Sequence, residues 1–191
     1  MISIVRKSSR VAAIAMCMLA SCAAAELSGD SLYRLDAVLV DQNDKSFALH
    51  ERAGKPQLVS MFYTSCQYVC PLIIDTMKKT QAALPAADRD KLAVLLVSFD
   101  PERDTPARLS EVFGERKLDA ASWTLARTDE RSVRKLAALL GIQYRALANR
   151  EINHSSALVL LDAGGTIVAR TDQIGAIDPA FVQALQRALE P

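Results

Sequence analysis

Cysteine and histidine are scarce in this chain: four cysteines and two histidines among 191 residues. Two of those cysteines, Cys17 and Cys22, sit in an N-terminal segment with the look of an export signal. The remaining domain therefore cannot be a small scaffold stapled by disulfides, and it is long enough to bury a core without them. Charge imbalance is also missing. A net charge of +1 excludes a polybasic nucleic-acid-binding protein. No internal repeat and no low-complexity tract occurs, so a solenoid is excluded too. The one long uncharged apolar run, residues 11–20, is too short to span a bilayer comfortably. No acid precedes Glu26.

That last absence is informative beside what is there. Arg6, Lys7 and Arg10 form a positive leader, the apolar run comes next, and residues 21–25 are small. This is the layout of a secretory signal over residues 1–25, with residues 26–191 as a single working domain. Two cleavage readings stand side by side. Ala23, Ala24 and Ala25 supply an A-x-A site, whereas Leu19, Ala20, Ser21 and Cys22 match the bacterial lipoprotein box, in which Cys22 would be lipidated. Both place the domain outside the cytoplasm, in the periplasm, and the second ties it to a membrane. Taking the three leader cations from the net +1 leaves −2 on the mature domain.

Only Cys66 and Cys70 remain in that domain. A pair so close along the chain is a poor structural staple, because closing a short loop removes little entropy. A redox or metal-binding role is favoured instead, and an oxidising compartment would tend to join the two as a disulfide.

The rest of the pattern alternates. Short strands are predicted at 33–40 and 46–49, and a buried strand at 57–63. A helix comes next at 71–84, with Leu72, Ile73, Thr76, Met77 and Leu84 facing inward and Pro71 in its first turn. Residues 92–99 read as the strongest strand, apolar enough to be covered on both faces. Then come a helix at 105–113, a strand at 122–126, a helix at 130–140 capped by Gly141, strands at 157–161 and 166–170 about the turn 163–165, and a closing helix at 179–189. Such alternation implies an α/β domain with a central, largely parallel sheet flanked by helices and made mixed by the final hairpin. The arrangement is thioredoxin-like, with an N-terminal β extension and an insertion.

Cys66 and Cys70 fall where a buried strand gives way to a helix. Sites in open α/β sheets form at the carboxyl ends of strands, and a helix N-terminus favours a nearby thiolate. Thiols four positions apart can face one ion. Thioredoxin-like oxidoreductases use C-x-x-C, and this pair has one more residue between its cysteines. His154 precedes the strand at 157–161, in the loop that faces the cysteine helix in a thioredoxin-like fold. No proline occurs between Pro106 and Pro179, and His154 stands in that region instead. Two thiolates and an imidazole suit copper, as Cu(I) or Cu(II), better than zinc, which usually takes a fourth ligand. His50, between Leu49 and Glu51, reads as a solvated surface residue. Asp104 reads as a helix N-cap. Asp100 reads either as a turn former or as a group that tunes the site by hydrogen bonding or a weak outer contact, and stays outside the ligand set.

Three motifs in order, Thr64-Ser65-Cys66-x-x-x-Cys70-Pro71, the run from Val97 to Pro106 (VSFDPERDTP), and His154-Ser155-Ser156, resemble the SCO/SenC copper chaperones. The resemblance covers roughly residues 30 to 190. Gln67 departs from it, standing where the family commonly has proline. The resemblance implies a thioredoxin fold and a copper site at Cys66, Cys70 and His154. It also implies a role in delivering copper to, or maturing, the copper centre of cytochrome c oxidase, with that enzyme's copper-bearing subunit or another copper chaperone as partner. The alternative expectation is an extracytoplasmic thiol-disulfide oxidoreductase that reduces the cysteines of a copper acceptor through a redox-active Cys66–Cys70 pair. A thiol peroxidase is a weaker third.

Overall fold

A computed structural model describes residues 27–190. The leader, with Cys17 and Cys22, lies outside the described residues.

The elements run β1 (Val38–Asp41), β2 (Ser46–Ala48), β3 (Gln57–Phe62), α1 (Val69–Ala82), α2 (Ala86–Arg89), β4 (Ala93–Ser98), α3 (Pro106–Glu115), β5 (Trp123–Arg127), α4 (Glu130–Leu139), β6 (Tyr144–Ala146), β7 (Ile152–His154), β8 (Leu158–Leu161), β9 (Ile167–Thr171) and α5 (Pro179–Leu189). Seven strands form one sheet in the order β2-β1-β5-β4-β3-β8-β9, and β6 and β7 form a separate hairpin. Only β3 with β4 and β4 with β5 pair in parallel. The other pairs are antiparallel, so the sheet is mixed rather than largely parallel.

All six residues of β3 and all four of β8 are buried, which is why β8 is apolar throughout and β3 is apolar but for Gln57 and Ser60. Helices supply the cover. In α4, Val133, Leu136 and Ala137 are buried, and Leu140 and Ile142 continue the cover just beyond its end. In α5, Phe181, Leu185 and Leu189 do the same at every fourth position. Asp129 and Asp178 cap these helices, each accepting from backbone N–H groups two or three residues on. In α1 the inward set is Ile73, Ile74, Thr76 and Met77, with Leu84 beyond the helix also buried. Leu72, expected inside, is 41% exposed, because it lies at the edge of the face that Cys70, Ile73, Ile74 and Met77 share.

Register places the site. Phe62 pairs with Ser98 in the parallel β3–β4 ladder, so the segments after both strands leave at the same end of the sheet. Strand β8 runs the other way, with Leu161 beside Gln57 and Val159 beside Val59. Its entry, fixed by a 2.7 Å hydrogen bond from Ser60 to the Ala157 carbonyl, therefore lies at that end as well. The opposite end is closed by the β8–β9 turn. There Gly165 has φ +85°, and a Cβ on it would collide with the Tyr33 ring, so the turn requires glycine.

Candidate metal centre

Between β3 and α1 the chain makes a tight turn, closed by the Cys66 N–H on the Tyr63 carbonyl at 3.3 Å. The Tyr63 N–H donates to Cys70 Sγ, and the Cys70 N–H donates to Cys66 Sγ, each at 3.4 Å. Both cysteines are free thiols, Cys70 buried at the start of the helix and Cys66 half-buried ahead of it. His154 comes from a different part of the chain, as the last residue of β7, paired with Tyr144 across the hairpin. Its Nδ1–H donates to the Ser155 carbonyl at 3.0 Å. That bond fixes the tautomer and leaves Nε2 as a lone pair, 3.8 Å from Cys70 Sγ. The imidazole is wedged between two rings, Phe99 at 4.8 Å and Tyr63 edge-on at 5.9 Å. The two sulfurs and a ring nitrogen lie within 4.8 Å of one another.

The electrostatics suit a soft cation. Burial lowers the pKa of His154 below the ordinary imidazole value, against a small opposing effect of its bond to Ser155, so the ring is a neutral ligand at pH 7. The two thiols are driven apart. Burial works against a Cys66 thiolate, but the N–H groups of Cys70, Tyr68 and Val69 and the Cys70 thiol outweigh it, and Cys66 lies below its usual value. Burial pushes Cys70 well up, and negative charge at Cys66 and Asp104 adds to the rise. Cys66 is thus the sulfur that loses its proton more easily, and Cys70 gives up its proton when a cation arrives. Donor set, tautomer and spacing all fit a soft metal ion of low coordination number.

The family model for SCO1/SenC matches residues 28–190. This chain belongs to the SCO1/SenC family. A relative from Stutzerimonas stutzeri, named for copper binding, is 27% identical over 133 residues, 68% of this chain and 64% of that protein. The chain thus spans a little under two thirds of the length of that curated relative. Two solved structures share the fold. A SCO1/SenC family lipoprotein from Bacillus anthracis is 21% identical, with a TM-score of 0.73 over 82% of this chain and 95% of that one. Bradyrhizobium japonicum ScoI, solved with copper bound, is 24% identical, with a TM-score of 0.66 over 80% and 96%.

Within this SCO1/SenC domain the fold brings Cys66, Cys70 and His154 together, and they form the group among the described residues with the spacing of metal ligands. His50 is exposed and belongs to no such group. Asp100 is committed elsewhere, to an ion pair with Arg103, whose guanidinium also reaches the Arg150 carbonyl. Asp104 is not the helix cap. Thr105 takes that place by accepting from the Arg108 N–H at 3.3 Å, and the Asp104 side chain turns inward, fully buried. Sequence reasoning also misses Tyr63 and Phe99 as walls of the site, since each reads only as strand core.

Proposed function

We propose that this protein carries one copper ion on Cys66, Cys70 and His154 and passes it to an acceptor protein, in the assembly of the copper centre of cytochrome c oxidase. The observation that carries this reading is the convergence of a neutral imidazole on two thiols, the nearer of them 84 residues away along the chain. A dithiol reductase needs no such histidine. Family membership and the copper-binding name of the Stutzerimonas relative support it as well.

Copper is the cargo, and the protein's own residues set its handling. Ser155 orients His154, Phe99 and Tyr63 exclude water from one side, and backbone N–H groups ready Cys66. Cys70 and His154 hold the ion from within. Cys66, half-buried and flanked by Tyr68 at 87% exposure, is the ligand that an acceptor's donor atom reaches first. The acceptor we infer is the copper-bearing subunit of the oxidase or another copper chaperone. We further place the domain outside the cytoplasm, delivered by the 1–25 leader and held at the membrane through a lipid on Cys22. No helix among the described residues is long and apolar enough to cross a membrane.

Copper titration of the reduced protein tests the reading. The wild type is expected to bind one equivalent, and Cys66→Ser and Cys70→Ser none at comparable affinity. His154→Ala with undiminished affinity would remove the histidine and leave the reductase reading, in which only the two thiols work.

A further inference from the structure

The Asp104 carboxylate is fully buried, and among the described residues no cation pairs with it. Its partners are all neutral. The Thr64 N–H donates to both oxygens, at 3.2 and 3.1 Å, the Thr64 hydroxyl donates to Oδ1, and the Ser98 hydroxyl donates to Oδ2. The Asp104 backbone N–H in turn donates to the Asp100 carbonyl at 2.9 Å, which ties the loop after β4 into its own turn. The nearest cationic side chain along this loop, Arg103, is taken by Asp100.

A buried carboxylate without a cation is a costly way to satisfy two hydroxyls and an amide, which neutral acceptors could serve with less desolvation. Its location suggests why it is there. Thr64 is the residue between Tyr63, whose N–H binds Cys70 Sγ, and the turn that presents Cys66. Asp104 thus grips the strand end from one side while the Cys70 sulfur grips it from the other. We propose that Asp104 is a positioning residue: through Thr64 it fixes the turn that sets the two sulfurs relative to each other and to His154. This inference rests on the copper reading for its purpose, but the clamp itself is a property of the metal-free protein.

The test uses Asp104→Ala, Asp104→Asn and Thr64→Val. Amide hydrogen exchange of the reduced, metal-free protein is expected to show lost protection at residues 63–70 in Asp104→Ala, with β4 and β8 amides unchanged. Copper affinity, read by competition with bathocuproine, should fall about tenfold in the same variant, the size expected when a group that orients a ligand is lost. The sulfur-to-copper charge-transfer band should shift with it. Asp104→Asn keeps one acceptor oxygen and is expected to fall between wild type and Asp104→Ala, as is Thr64→Val, which loses only the hydroxyl. If Asp104→Ala does not fold, these two carry the test. Uniform loss of protection across the sheet, with an unmoved copper band and affinity in every variant, would overturn the proposal and leave Asp104 a purely structural residue. Failure of the wild type to bind copper would instead sink the copper reading, and the exchange arm would still decide the clamp.

Discussion

At the N-terminal end of β3, Gln57 is fully buried among partners that close on one another: Arg52 donates to its side-chain oxygen and to Thr124, while its amide nitrogen donates to Tyr33 and to the Arg52 carbonyl. At the C-terminal end of the same strand, the buried polar groups are a carboxylate without a cation, two thiols whose pKa values are driven apart, and an imidazole with a free lone pair. The first cluster contains its own positive charge and needs nothing more. The second holds negative and soft donors that only an added cation completes. One strand thus links a finished network, which stabilises, to an unfinished one, which binds, and the two should respond differently to substitution.

The sharpest contrast comes from Cys70→Ala against Gln57→Ala. The cysteine variant should lose copper binding outright while its stability falls by only about 1 kcal/mol. The glutamine variant should keep copper binding and lose about 2–4 kcal/mol, because Arg52 and Tyr33 are left with unpaired buried groups. Copper competition and thermal melts on both proteins check this, and a glutamine variant that loses copper while melting normally would break the distinction. Next in size, Gly165→Ala should cost at least about 2 kcal/mol from its left-handed backbone and the collision with Tyr33, again with copper affinity intact.

The third prediction is a pH dependence. Burial pushes the Tyr33 phenol up to about 12. The folded state therefore holds that proton more tightly than the unfolded chain does. Its contribution, about 3 kcal/mol, is fully present below about pH 10 and is lost as pH rises through about 12. Tyr33→Phe should flatten that alkaline limb in melts from pH 8 to 12. The site end has the reverse sign. His154 has a lowered pKa, so the stability tied to its neutral form is complete above the ordinary imidazole range and is lost as pH falls from there through the lowered value. Copper affinity measured from pH 8 downward should fall throughout, because Cys70 releases a proton on binding, and more steeply in that acid window, where His154 must lose one as well. The smallest effect is expected at His50→Ala, exposed and outside the ligand group, which should change neither stability nor copper affinity by more than about 0.5 kcal/mol.

Much of this architecture is legible from residues alone, for physical reasons. The strands at 57–63, 92–99 and 157–161 are apolar nearly throughout because both of their faces are covered, and such runs stand out. Cys66, Cys70 and His154 are legible because few other residues in the chain could do their chemistry, and because their motifs match a family. The hairpin carrying His154 is not: three residues per strand are too few to show alternation, and in Tyr144-Arg145-Ala146 only Tyr144 is partly buried. The sheet reads as largely parallel from chain order, which does not reveal that β1 lies antiparallel beside β5. Asp104 misleads because an Asp ahead of Thr-Pro looks like a cap, and only tertiary packing turns it toward Thr64. Ser98, polar at the end of an otherwise apolar strand, is the one available hint.

Ser28 hydrogen-bonds to Thr166, and the Leu32 N–H donates to the Gly165 carbonyl, so the chain joins the domain beside the β8–β9 turn. That is the pole away from the sulfurs, separated from them by the six residues of β3, about 20 Å of strand. Anything that moors the protein by its front end would hold it as a mast holds a lamp, with the mooring below and the ligands outward. An acceptor could then approach the cysteine turn without passing the mooring.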